Sequence, residues 1–143
     1  MSVKFFLDTN IIVYSFDPIA PNKRDAARQL IRSALMQQNG CISYQVIQEF
    51  FNIATRKFVT PLSPQDCKIY LNDVLSPLCE IFPSVEFYSQ ALQIVERWKY
   101  SLYDSLIITA ALQANCTILY SEDLQHGHVI NYLTITNPFR EKS

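Results

Sequence analysis

Glycine is nearly absent from this sequence: Gly40 and Gly127 are the only two in 143 residues. A dinucleotide fingerprint or a phosphate-cradling P-loop needs several glycines within one turn, so both devices are excluded. Histidine is as scarce, with His126 and His128 in one loop, and Cys41, Cys67, Cys79 and Cys116 are scattered without a CxxC pair. That spacing argues against a zinc framework and predicts reduced thiols among apolar neighbours, as in a cytoplasmic protein. No apolar run approaches a membrane span, and the first residues, Met1-Ser-Val-Lys, lack the length and cleavage site of a signal peptide. Charge excess is lacking too, with 12 Lys and Arg against 13 Asp and Glu. A nucleic-acid partner would have to be held by a local basic patch or through cations, not by a globally basic surface.

What is present is the balance of an ordinary globule, 49% hydrophobic and 17% charged, at a length that suits one domain over residues 1–143. Val3 to Leu7 is a short apolar run ending in Asp8-Thr9-Asn10, the pattern of a buried parallel strand leaving the sheet into a polar loop. Asn22 is placed to cap a helix whose apolar positions from Ala26 to Leu35 keep helical spacing until Asn39-Gly40 stops it. Cys41 to Ser43 reads as a second strand, and Ser43 as the cap of a helix carrying Val46, Ile47, Phe50, Ile53 and Ala54 on one face, with Glu49 inside it. Ser63-Pro64 opens a helix that runs to Ser76-Pro77. Cys79 to Phe82 is a third strand, Ser84 opens a helix through Trp98, and Asp104 begins another. Thr117 to Tyr120 and Leu133 to Thr136 complete the strands. Strands alternating with helices predict a three-layer α/β/α sandwich around a central parallel sheet of about five strands.

Such sheets bind ligands beyond their carboxyl edge, and four acids stand where that edge is expected. Asp8 ends strand one, Glu49 lies about two turns into the helix after strand two, Asp104 sits at a helix amino terminus, and Asp123 follows strand four. Taken singly, an Asp after a strand is a turn former or cap, and a Glu within a helix is a solvated residue. Taken together and in this order, they predict one cluster of hard oxygen donors. Such donors suit Mg²⁺, which favours carboxylates and retains several waters. Hydrolysis of a phosphodiester needs an activated water and stabilised negative charge, both of which divalent ions supply.

Over nearly its whole length, from Phe5-Leu-Asp-Thr-Asn to Tyr120-Ser-Glu-Asp-Leu-Gln-His-Gly, the sequence resembles the PIN-domain family, and within it the bacterial VapC-like toxin ribonucleases. Asp8-Thr9-Asn10 matches the opening triplet, Gln48-Glu-Phe-Phe the second motif, Tyr103-Asp-Ser-Leu-Ile the third, and Ser121-Glu-Asp123 the fourth. The resemblance implies a metal-dependent endoribonuclease whose Asp8, Glu49, Asp104 and Asp123 seat one or two Mg²⁺ or Mn²⁺ ions. It further implies that a water activated there would attack in line and leave 5′-phosphate and 3′-hydroxyl ends. Glu49 would bridge, act through water or assist deprotonation. Glu122 is an alternative to Asp123, which register favours. Asn10 and Ser121 are candidates for orienting carboxylates or their waters. RNA as substrate, a small antitoxin protein over the cleft and a homodimer are also implied.

Arg24, Arg28 and Arg32 recur every fourth residue and form one ridge, read either as a phosphate track or as a solvated face. His126 and His128 are read as solvated loop residues outside the catalytic set. An aspartyl-phosphate enzyme with Asp8 as nucleophile is disfavoured by Asn10, where the haloacid-dehalogenase pattern has a second Asp. A non-catalytic domain of the same fold, binding protein or RNA, leaves the four acids without a reason.

Overall fold

The computed structural model describes residues 3–140. Met1 and Ser2, where the reading for a signal began, and the last three residues of the expected domain lie outside that range. Among the described residues the order is β1 (Phe5–Leu7), α1 (Thr9–Tyr14), α2 (Pro21–Gln37), β2 (Gly40–Ser43), α3 (Tyr44–Arg56) and α4 (Pro64–Tyr70), then α5 (Ser76–Leu78), β3 (Cys79–Ile81), α6 (Val85–Trp98) and α7 (Leu102–Gln113). The chain closes with β4 (Ile118–Tyr120), β5 (Val129–Ile130) and β6 (Leu133–Thr136). A π-helical turn, Leu71–Leu75, joins α4 to α5.

The sheet order is β3-β2-β1-β4-β6-β5, with every pairing parallel except β5 on β6. The three-layer α/β/α sandwich is as expected, and its mostly parallel sheet has six strands, one of them antiparallel, where about five parallel ones were expected. The extra strand is two residues long, too short for any alternation to show in sequence. It folds back through Asn131, whose left-handed backbone (φ 56°) makes the turn. Connections run outward from β1 to β2 and β3, then return to β4 and β6 on the other side. Right-handed crossovers of opposite direction put their helices on opposite faces, which gives the three layers. α2 packs against β2, while α7 lies against β2 and β4 with α6 along it. β1 is buried throughout, and α7 is buried at every position from Ser105 to Ala111, as a helix apolar on all sides must be.

Several local expectations change. The polar loop after Asp8 is instead the helix α1, because Ile11 and Ile12 extend the apolar core one turn past β1. Asn22 lies inside α2, which starts at Pro21; Asp17 holds that entry by accepting from the amides of Ile19 and Ala20. Gln38 takes the left-handed cap conformation that Asn39-Gly40 was expected to supply. Gly40 instead serves close approach, since a Cβ there would stand 2.5 Å from Phe5 and 2.6 Å from Ala34. Ser63 and Ser84 cap their helices as expected, through the amides of Asp66 and Phe87. Ser43 sits at the cap position of α3 and makes no cap bond. Asp104 does not begin its helix: Ser101 is the cap and accepts from the Asp104 amide. The cysteines are free, with Cys41 and Cys116 fully buried and Cys67 and Cys79 half-buried. No helix among the described residues is long and apolar enough to cross a membrane.

Candidate active site

The connections run in opposite directions on either side of the parallel pair β1 and β4, so the carboxyl ends of these two neighbours open the crevice where an α/β sheet receives ligands. The Asp8 amide donates to the Tyr120 carbonyl (3.0 Å), tying the two strand ends together. Asp8 then caps α1, its Oδ1 accepting from the Thr9 amide at 2.7 Å, while its Oδ2 accepts from the Ser121 hydroxyl at 2.7 Å. Ser121, fully buried, also receives the amides of Asp123 and Leu124, and so shapes the loop after β4 around Asp8.

Asn10 closes this knot. Its Nδ2 reaches Asp8 Oδ2 (3.5 Å), Ser121 Oγ (3.4 Å) and Asp123 Oδ2 (3.1 Å), and its Oδ1 accepts from the Glu122 amide at 3.2 Å. Glu49 joins from α3, with Oε1 accepting from the Thr9 hydroxyl at 2.8 Å and lying 3.5 Å from Gln45 Nε2. Asp104 enters from the first turn of α7, half-buried, with no side-chain hydrogen bond among the described residues.

All four acids line one cavity of about 450 Å³, together with Asp17 and Glu122. Six of the chain's 13 acidic residues therefore face one space, and no Lys or Arg lines it among the described residues. Burial pushes the Asp8 carboxyl up to about 6. The Ser121 and Thr9 hydrogen bonds oppose that rise, and the charges of Glu49 and Asp123 add to it.

Glu122 is differently placed. Tyr14 OH donates to its Oε1 at 2.6 Å, and Lys23 Nζ donates to its Oε2 at 2.6 Å. Burial, the largest single influence, raises its carboxyl, but these two bonds and the Lys23 charge together outweigh it and hold the group below its ordinary range. Both oxygens are thus committed to protein partners, whereas Asp123 is exposed and its carboxylate accepts from Asn10 alone among the described residues.

The donor set is what a hard divalent cation requires: carboxylates around an open, water-accessible space, without thiol or imidazole. The side chains do not form a finished cage. Among the described residues, no three of His, Cys, Asp or Glu converge closely enough to hold an ion. Without a cation, like charges do better by turning to neutral donors, as Asp8, Glu49 and Asp123 do.

A family model for the PIN domain matches residues 5–130. The chain belongs to the PIN domain family. Comparison with characterised proteins finds no significant sequence relative. Solved structures sharing the PIN fold include a toxin–antitoxin complex from Klebsiella pneumoniae, at 19% identity and TM-score 0.69, covering 98% of this chain and 100% of that one. Another is VapC20 of Mycobacterium tuberculosis, described as a sarcin–ricin-loop-cleaving toxin, at 15% identity and TM-score 0.62, covering 84% and 90%. A third is the DNA-bound VapBC complex of Salmonella typhimurium, at 20% identity and TM-score 0.64, covering 96% and 99%.

Other candidates from the sequence lie elsewhere in this PIN domain. Arg28 donates to the Ser15 carbonyl at 2.8 Å, Arg24 reaches Asp25, and Arg28 and Arg32 border a separate cavity beside Tyr70. His126 accepts from the Asn137 amide, and His128 bonds Tyr100. Thr9, Gln45, Tyr14 and Lys23 were not singled out from sequence. Gln45 could have been, standing one helical turn before Glu49; Lys23 could not, since its partner lies 99 residues away.

Proposed function

We propose that this PIN domain protein is an endoribonuclease dependent on Mg²⁺ or Mn²⁺ and the toxin of a toxin–antitoxin pair. The observation that carries the reading is the cavity itself: acids from four separated motifs line one space that no Lys or Arg lines among the described residues. Clustered carboxylates cost stability unless a cation offsets them, so their collection is explained by chemistry rather than by folding. The fold shared with a toxin and toxin–antitoxin complexes supports the biological role and a small antitoxin as partner. A homodimer and the cytoplasm as location belong to the same proposal.

In this reading Asp8, Asp104 and Asp123 hold the ion and Glu49 assists, while Asn10 and Ser121 orient Asp8 and Asp123. Divalent ions bound there supply an activated water and neutralise charge on the phosphate. Asp8, with a carboxyl near 6, is ionised at neutral pH and available to a cation. Glu49, held by Thr9 and Gln45, faces the same cavity, from which it can accept a proton or a water. Glu122 stays with Lys23 and Tyr14 and shapes the rim.

The test is cleavage of single-stranded RNA with Mg²⁺ or Mn²⁺. Activity should stop in chelator and return with the ion. Asp8→Asn and Asp104→Asn should each lower kcat/KM on the order of 10²–10⁴-fold, whereas Glu122→Gln should cost far less. Chelator-resistant cleavage, or full activity in both Asp variants, would refute the reading.

A further inference from the structure

A second, smaller cavity of about 180 Å³ adjoins the acidic one. Pockets for drug-sized ligands begin near ~300 Å³, so this one suits a single flat ring system. Tyr44, Phe82, Tyr88 and Tyr103 line it while remaining 43%, 61%, 47% and 67% exposed. Large aromatics left this open are unusual for a chain whose other rings mostly fill its core. The Tyr44 and Phe82 rings lie 6.3 Å apart at a 49° tilt, so neither covers the other's face in a stacked pair.

The polar groups of this cavity are neutral, and no charged residue lines it among the described residues. Gln45 and Gln48 contribute amides. Ser43 lines it too, 3% exposed, and its hydroxyl is buried with no hydrogen-bond partner among the described residues. Ser43 holds a cap position where serine ordinarily accepts an amide, yet it makes no cap bond. Buried polar groups are nearly always paired, and an unpaired one beside a cavity marks a place for a ligand atom.

Gln45 and Tyr103 line both cavities. The Gln45 amide reaches towards both, with Nε2 3.3 Å from the Tyr103 carbonyl and 3.5 Å from Glu49 Oε1. A nucleotide whose phosphate met the carboxylate side would therefore have its base on the aromatic side.

We propose that this aromatic cavity is a base subsite, receiving one unstacked base of a single-stranded RNA beside the phosphate held in the acidic cavity. The inference rests on the nuclease reading and adds where the strand lies. Aromatic faces accept any base by stacking, and amide and hydroxyl groups meet its edge. A paired base cannot enter, because its faces and edge are already occupied.

The test uses oligonucleotides carrying one abasic position at a time. Binding is read with Mg²⁺ in a Glu49→Gln background, which keeps the three carboxylates proposed to hold the ion, and cleavage in the unmodified protein. One abasic position flanking the cleaved bond should weaken binding about 5–150-fold, the range of one base–aromatic stack. Tyr44→Leu with Phe82→Leu keeps the apolar bulk and removes the rings. It should weaken intact RNA by the same factor and erase the abasic penalty. Both side chains are exposed, and a melting curve verifies that the variant folds. Cleavage with equal penalties at every position, or a penalty unchanged by the double variant, overturns the subsite and leaves the nuclease reading intact. A position-specific penalty without any cleavage supports the subsite and refutes the nuclease. Should the double variant only convert an oligomer to a monomer in light scattering, the patch is a subunit surface and the inference fails.

Discussion

Asp8 is 8% exposed and stands within reach of two other carboxylates, which is an expensive place for a charge. Its folded value of about 6 lies above the ordinary 3.8. The fold therefore favours the protonated form, and this relative contribution is complete below pH 3.8 and lost as pH rises through 6. At neutral pH the metal-free protein bears a cost of roughly 3 kcal/mol, less what the Ser121 and Thr9 bonds return to any substitute. Asp8→Asn should consequently melt higher than the unmodified protein in chelator at pH 7.5, by roughly 1–3 kcal/mol, and the gap should close towards pH 4. Thermal melts across that range decide it; a variant less stable at pH 7.5 would mean the carboxylate is structural. At this scale Asp8, Glu49, Asp104 and Asp123 were legible because each lies in a short local motif. Thr9 and Lys23 were not, because what they do depends on Glu49 and Glu122, distant in sequence.

Helix starts were legible at Ser63 and Ser84 but not at Ser101, where Asp104 was read as the first residue. Ser63, Ser84 and Ser101 each accept the amide three residues on, and Ser→Ala at such a site costs about 1 kcal/mol. Ser43 occupies the same position in α3 without that bond, its hydroxyl buried and unpaired. Ser84→Ala should therefore destabilise the protein by about 1 kcal/mol, whereas Ser43→Ala should be neutral or slightly stabilising. Denaturant unfolding of the two variants compares them directly, and an equal loss would show that Ser43 caps α3 in solution. The Ser101 cap has a further consequence, since the turn it fixes carries Asp104 into the cavity. α1 escaped the sequence reading because six residues are too few for helical periodicity to register.

Across the molecule, the sheet gathers acids from the end of β1, α3, α7 and the loop after β4 into one cavity that no Lys or Arg lines among the described residues. A divalent ion held there, as proposed, would stabilise the folded state by mass action, by about 2.7 kcal/mol at a hundredfold excess over Kd. Mn²⁺ should raise the melting temperature of the unmodified protein by several degrees at fixed ionic strength, and should do much less for Asp8→Asn or Asp104→Asn. Equal shifts in all three proteins would place the ion elsewhere.

Composition and pattern alone settled the α/β class, the alternation of strands and helices, and the identity and order of the four acids, because these are local properties of short segments. The sixth strand, the reversal of connection direction at β1 and β4 and the approach of β2 through Gly40 were decided only when the sheet assembled, since they depend on which strands become neighbours. The different surroundings of Asp123 and Glu122, the two alternatives for the proposed fourth acid, are of the same kind. In sequence they are adjacent acids, and only the folded chain brings Tyr14 and Lys23 to both oxygens of Glu122 while leaving Asp123 to the cavity.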